Sequence, residues 1–329
     1  MRRREFITFI AGAAIVRPRA TIAQTPPRVF RLGTLTPTLP LDEKDPLGAI
    51  LLKALGQRGY TLGKNLSLDA RGPGGPVGQS FGEIVRQLKA GHVDVIVAAG
   101  FPVILACKVE NVPTVVAFGG IDPVATHLVE SLAHPGGNIT GISDNAAVLA
   151  TKRLGLIKQA VPKAQRVAML WNRNDLGMSM RYEASADAAQ TLGVAVQPLG
   201  LREPDDFNGV FEAMDHDPPD AIFMVADALT TLNRKRVFDY AGAHHIPALY
   251  EYDLPNVHDG GLMSYGPDLQ ESVQRAADLT ARIFGGAQPA DLPFEQPTRY
   301  KLVINLKTAK ATGIELPVNF LALADEVIE

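Results

Sequence analysis

Residues 81–98 read FGEIVRQLKAGHVDVIVA, and residues 207–224 read FNGVFEAMDHDPPDAIFM. At a constant offset of 126, Phe81, Ile84, Leu88, Asp94 and Ile96 match Phe207, Val210, Met214, Asp220 and Ile222. Each window places apolar residues at helical spacing and then changes within a few residues to a short buried-strand run. A segment that switches period in this way is one helix-to-strand step of a parallel sheet. Its recurrence makes the chain two copies of one unit.

The correspondence extends on both sides. Arg28-Val29 matches Arg166-Val167, Thr61-Leu62-Gly63 matches Thr191-Leu192-Gly193, and Val112-Pro113-Thr114 matches Ile246-Pro247-Ala248 after a longer second helix. Strands are expected at 29–35, 66–70, 93–98 and 114–118, and again at 167–170, 194–199, 221–225 and 248–250. Helices of the second series are expected at 177–192, 205–214 and 229–243. Strands alternating with helices predict a doubly wound α/β fold, here two Rossmann-like lobes joined by a hinge.

A tail that neither copy explains follows: residues 261–264, a helix with Leu269, Val273, Ala276, Thr280 and Ile283 on one face, a Pro-rich stretch 288–297, a strand 302–304 and a helix from Lys307. One economical arrangement sends it back across the molecule. Lobe 1 is then 28–141 plus 264–298, lobe 2 is 142–263 plus 299–329, and three crossings form the hinge.

Composition narrows the class. The 329 residues are 46% hydrophobic and 20% charged, with 32 Lys+Arg against 35 Asp+Glu, which excludes disorder and argues against nucleic acid as a partner. The first 23 residues read as an export signal: Arg2, Arg3 and Arg4 precede the apolar run 6–16, and Thr21-Ile22-Ala23 offers small residues for cleavage. Arg3-Arg4-Glu5-Phe6-Ile7 resembles the twin-arginine pattern, with the general secretion route as the alternative. Without this segment the chain carries 27 Lys+Arg and 34 Asp+Glu, a net of -7. Cys107 is the one cysteine. No disulfide framework, cysteine metal site or lipid attachment after the signal is therefore expected, and the mature protein is expected to be periplasmic, monomeric and not inserted in the membrane.

Open parallel sheets bind ligands at the carboxyl ends of their strands, so two hinged lobes define a cleft between those ends. The alignment selects Thr36, Pro37, Gly100, Phe101, Pro102, Gly120 and Asp122 from the first copy. It selects Ser143 and Asn145 from the crossing, and Asn172, Arg173, Asp227, Tyr250 and Tyr252 from the second. Hydroxyls, amides, a cation and rings suit a small polar ligand with a negative group and a flat apolar part. Arg173 can clamp a carboxylate or stay solvated, Phe101 can stack on the ligand or plug its lobe, and Asp227 can bind an amine or cap a helix. Tyr250 and Tyr252 alternate, so at most one faces the cleft. Asp94 and Asp220 are expected to be structural turn residues.

Catalytic signatures are missing or broken. Gly72-Pro73-Gly74-Gly75-Pro76 has Val77 where a dinucleotide fingerprint needs glycine, and Gly141-Ile142-Ser143-Asp144-Asn145 lacks the closing glycine of a nucleophile elbow. His244 and His245 are adjacent and diverge on a helix, a poor metal pair, and Cys107 sits in an apolar helical stretch. No enzyme activity, cofactor or metal is expected.

Longer strings go further. Gly59-Tyr60, Gly63-Lys64-Asn65, Asp122-Pro123-Val124, the run 134–141 (HPGGNITG), 260–267 (GGLMSYGP), 302–310 (LVINLKTAK) and 324–329 (ADEVIE) occur in order. The chain resembles the ABC transporter substrate-binding protein family that includes tryptophan/tyrosine-type binding proteins, over essentially its whole mature length. That resemblance implies a type I periplasmic binding protein fold, no catalysis, and delivery of a small solute to an ABC permease with its ATPase. Similar members carry a serine pair, a Gly-Thr-Pro-Ala loop and Trp-Asn-Pro where this chain has Thr36-Pro37, Gly100-Phe101-Pro102-Val103 and Trp171-Asn172-Arg173. The ring and the cation in place of small or rigid residues point to an aromatic or other planar carboxylate, an aromatic acid ahead of an amino acid. A ligand-sensing domain for a membrane receptor and a secreted hydrolase are the alternatives. A sugar-responsive repressor would need a DNA-binding head in place of the export signal.

Overall fold

The computed structural model describes residues 28–73, 79–119 and 122–329. The expected export segment 1–23, residues 74–77 of the glycine-rich run, and Gly120 and Ile121 lie outside them. The chain runs β1 (Phe30–Leu35), α1 (Pro46–Gln57), β2 (Leu66–Arg71), α2 (Phe81–Ala90), β3 (Val95–Ala99), α3 (Phe101–Val109), β4 (Thr114–Phe118) and β5 (Ile139–Gly141). The second copy follows as α4 (Ala146–Ala160), β6 (Arg166–Asn172), α5 (Leu176–Thr191), β7 (Ala195–Leu201), α6 (Asp206–His216), β8 (Ala221–Met224), α7 (Ala228–Leu232), α8 (Arg234–Ala243), β9 (Ala248–Tyr250) and β10 (Met263–Pro267). The tail forms α9 (Leu269–Phe284), a 3-10 turn (Pro289–Asp291), β11 (Tyr300–Asn305), α10 (Leu306–Thr312), α11 (Val318–Leu321) and β12 (Glu326–Ile328).

Two sheets result, ordered β2-β1-β3-β4-β5 and β12-β11-β10-β9-β8-β6-β7. All pairings are parallel except β10 with β11. Reading β6 to β10 as β1 to β5, the five core strands stand in the same order in both lobes, as the internal repeat requires. The equivalence reaches single contacts. An Asp94 oxygen accepts from the Arg31 N–H at 2.7 Å, and an Asp220 oxygen accepts from Arg166 N–H at 2.9 Å, so each aspartate fastens the turn before its strand to the first strand of its lobe. Likewise Ile96 N–H donates to Pro113 and Ile222 N–H to Pro247, both at 2.9 Å.

Two expectations change. Residues 261–264 lead into a strand: β10 pairs with β9 and β11, so the chain re-enters the first lobe at Asp268 and not at 264. The glycine and terminal proline of Met263–Pro267 hid this strand, and Gly266 is required because a Cβ there would lie 1.9 Å from the Glu251 carbonyl oxygen. The helix expected at 229–243 is two helices. The Asn233 side chain donates to the Leu229 carbonyl at 2.9 Å, competing with continued helix, and the chain restarts at Arg234.

The tail helix α9 matches its expected apolar face, with Val273, Ala276 and Thr280 buried against α1 and the first sheet. Cys107 is buried in the first-lobe core, and desolvation pushes its thiol up to about 12, the behaviour of a small core residue. No helix among the described residues is long and apolar enough to cross a membrane. Gly266→Ala is expected to cost about 1–3 kcal/mol or more by forcing two backbones apart. The lowered midpoint of urea denaturation measures it, and an unchanged midpoint would contradict this close approach.

Candidate ligand-binding site

The carboxyl ends of the two sheets enclose a cavity of about 380 Å³, within the roughly 300–1,000 Å³ typical of small-molecule sites. The first lobe supplies the loop after β1 (Thr36 to Leu39, and Leu41), the start of α1 (Asp45 to Leu47), Ala99 and Gly100, Phe118 and Gly119, and Leu269. The second lobe supplies Ala226, Asp227, Ala228, Thr231, Leu232 and Arg234, and then Tyr252, Leu254, Pro255, Asn256 and Asp259 from the segment after β9.

Local chemistry shapes each wall. Thr36 donates its hydroxyl to the Leu39 carbonyl, bending the loop over the cavity, and Asp45 caps α1 by accepting from Leu47 and Gly48, both at 2.9 Å. Gly100 heads α3 at φ +81 with no side-chain cap, and a Cβ there would meet the Pro37 ring at 2.8 Å. Asp227 caps α7: one oxygen accepts from Thr230 N–H at 2.9 Å and the other from Asn172 at 2.5 Å. Burial nevertheless raises its carboxyl above the ordinary range, with these bonds pulling the other way. Arg234 donates to Asp259 at 3.1 Å and to the Thr231 carbonyl at 2.7 Å.

Of the residues selected from sequence, Thr36, Pro37, Gly100, Asp227 and Tyr252 line this cavity. Gly120 lies outside the described residues. The others are placed elsewhere. Phe101 begins α3 and turns into the first-lobe core, so it plugs its lobe, while Pro102 is exposed on the same turn. Asp122 accepts from Val124 and Ala125, both at 3.0 Å, in an exposed turn. Ser143 is buried in the crossing, where its N–H donates to Glu295, and Asn145 donates to the Tyr300 hydroxyl at 3.3 Å. Asn172 stands one layer behind, orienting Asp227.

Arg173 is the main correction. Its N–H donates to Leu201 at 2.7 Å, which keeps the chain alongside β7, and its side chain lies across Gly200 in a separate depression with Arg202 and Asp206. Arg234 is the cation in the cavity wall. Tyr250 is buried in the second-lobe core, edge-on to Phe238 at 5.2 Å, and Tyr252 is the tyrosine of the pair that faces the cavity.

Behind Tyr252 lies a buried ionic network that the sequence did not reveal. Arg181 of α5 bridges Asp144 and Glu251, reaching Glu251 at 2.5 Å, and Arg153 of α4 holds the other Glu251 oxygen at 2.6 Å. The Tyr252 hydroxyl donates to Asp144 at 3.1 Å, and Ala226 N–H donates to Glu251 at 2.9 Å. Burial opposes every one of these charges. Arg153 and Arg181 nevertheless hold the Glu251 carboxyl below its usual range, and Asp144 and Glu251 hold the Arg181 guanidinium well above its own. The parts come from positions 144, 153, 181 and 251, with no local spacing to mark them.

Two facing α/β lobes of matching strand order, with a cavity at the carboxyl ends of both sheets, define a protein of type I periplasmic binding fold. The chain belongs to the ABC transporter substrate binding protein family, whose model matches residues 45–328. It is 25% identical over 268 residues to the tyrosine-binding protein of Clostridioides difficile (strain R20291), covering 80% of this chain and 75% of that one. An ABC domain from Streptococcus pneumonia in complex with L-Trp superposes with a TM-score of 0.80 at 24% identity, over 91% of this chain and all of that one. A ligand-free, open substrate binding protein with adhesive properties from Clostridium difficile superposes with a TM-score of 0.65 at 23% identity, over 91% and 99%.

Replacing Arg181 with methionine leaves Asp144 and part of Glu251 buried without a counter-charge. A loss of about 3–5 kcal/mol is expected in urea denaturation. Because the folded pKa of Glu251 is lowered, its contribution is complete above the unfolded value of 4.5 and is lost as pH falls through the folded one. Thermal melts should therefore drop steeply below about pH 4.5, and less so for Glu251→Gln measured against its own neutral-pH value.

Proposed function

We propose that this chain is an exported substrate-binding protein that encloses an aromatic amino acid between its lobes and presents it to the permease of an ABC importer. The observation that carries the ligand class is the lining of one cavity. Pro37, Leu39, Phe118, Tyr252, Leu254 and Pro255 form apolar and aromatic walls, and Asp227 stands among them from the second lobe. Those walls suit a planar ring. The Asp227 carboxylate suits an α-ammonium group, since its two oxygens retain lone pairs beyond the bonds from Thr230 and Asn172.

The ligand carboxylate goes to the start of α3. There the Phe101 and Val103 N–H groups, on either side of Pro102, lack a side-chain cap, and the helix dipole favours an anion. Arg173 lies outside the cavity, which removes the clamp that favoured a plain aromatic acid and shifts the assignment to an amino acid. The tyrosine-binding relative and the L-Trp complex support that class. Export follows from the basic and apolar segment at 2–16.

Capture works by linkage. A ligand touching Gly100 in one lobe and Asp227 in the other binds the closed arrangement better than the open one, so it shifts the population toward closure. The permease then has a closed pair of lobes to recognise.

A thermal-shift panel tests the ligand class: L-tyrosine and L-tryptophan are expected to raise Tm, and the corresponding amines and deaminated acids less. A shift with sugars or peptides and none with aromatics would overturn it. Asp227→Asn preserves the cap but is expected to weaken amino-acid binding about 10- to 100-fold, the loss of one charged hydrogen bond, while Arg173→Ala leaves affinity unchanged. Affinity is also expected to fall as pH drops through the raised pKa of Asp227, because protonation removes the charge that holds the amine. Calorimetry across pH 4 to 8 should show proton release on binding in that window.

A further inference from the structure

We propose that Asp253, His258 and Glu326 form a binding site for a divalent transition-metal cation, of which Zn²⁺ is the test case. One donor atom from each of the three lies within 4.8 Å of the others. His258 Nε2 stands 3.4 Å from a Glu326 carboxylate oxygen, with side chains 38% and 39% exposed, so a cation can reach the pair from solvent. One imidazole and two carboxylates are ligand types that Zn²⁺ accepts, at about 2.0–2.2 Å, leaving a position for water. His258 and Glu326, the two partly exposed members, would have to rotate toward the buried Asp253 to reach those distances.

A second observation concerns Asp253. It is 8% exposed, yet among the described residues it enters no ion pair with Lys or Arg, and one of its oxygens accepts from Leu254 N–H at 2.8 Å. Buried carboxylates are ordinarily paired with a cation or bound to a metal. A dication would balance the Asp253 and Glu326 carboxylates, with His258 as the third ligand. The backbone already presents this set. The Asp253 carbonyl accepts from Val257 N–H at 2.8 Å and from His258 N–H at 3.4 Å, folding His258 back over it, while Glu326 is fixed on β12 by its pairing with Val303.

The site is distinct from the ligand cavity but shares a segment with it. Leu254, Pro255, Asn256 and Asp259 line the cavity from the same stretch that carries Asp253 and His258. A bound cation pins this stretch to the C-terminal strand. The site rests on its own geometry and not on the proposed ligand.

The experiment uses Zn²⁺ alone, with no organic ligand, added to chelator-treated protein and followed by titration calorimetry and thermal melts. Saturable uptake with a rise in Tm is expected. Loss of even an outer-shell partner typically costs a site 10- to 100-fold in affinity, so His258→Ala and Glu326→Gln should each weaken uptake by more than about tenfold. Metal-free melts of both variants should match the parent, and a His244→Ala/His245→Ala variant should keep uptake. No uptake by the parent protein, or uptake that survives both His258→Ala and Glu326→Gln, would overturn the site and leave His258 and Glu326 as a surface pair. If one variant fails to fold, the other decides.

Discussion

The guanidinium of Arg181 carries its charge where almost no water reaches, and it does so because Asp144 and Glu251 flank it. Each of the three would be too costly to bury alone, so the group persists only as a unit. Its members tie together the crossing from the first lobe, α4 and α5, the end of β8, and the start of the segment after β9. The cavity hangs from this unit. Tyr252 is bonded to Asp144, and Ala226, which precedes Asp227, donates to Glu251. Replacing such a network whole by apolar packing can be nearly neutral, whereas removing one member strands a buried charge, so its parts hold one another in place.

The crossings tie this wall to the first lobe. Gly141 and Ser143 are bonded to Glu295 of the first lobe, and Asp144 already belongs to the second-lobe network. Asp268 caps α9 in the first lobe while its other oxygen faces Lys301 of β11 at 3.3 Å. The third crossing is fastened where Arg299 N–H donates to Glu271 of α9 at 3.0 Å. Three short crossings, each bonded on both sides, therefore join the two lobes.

Only part of the cavity lining was legible in the sequence, because the fold rule names loops at the strand ends of a parallel sheet and not the side chains within them. Thr36, Pro37, Gly100, Asp227 and Tyr252 came from that rule. It is silent on side-chain direction within a loop. Phe101, at the first turn of α3, had an apolar lobe interior within reach and went there, and Arg173 followed the backbone along β7 across Gly200. Arg234 escaped notice because it opens a second helix, and the break at Asn233 that puts it on the cavity wall has no strong sequence signal. The strand Met263–Pro267 was missed for a similar reason, since Gly266 and Pro267 read as loop until the Glu251 carbonyl is seen occupying the space a Cβ would need.

By itself the sequence determined the repeat and the alternation of strand and helix. These are consequences of apolar periodicity and of local caps, which act over a few residues and leave their pattern in the chain. Only the tertiary structure decided which loop side chains face inward and which charges share a buried network. Those outcomes depend on the cost of desolvating one group against the partners that distant segments bring to it. Positions 144, 153, 181 and 251 acquire a common role only when the second lobe and a crossing have folded around the same point.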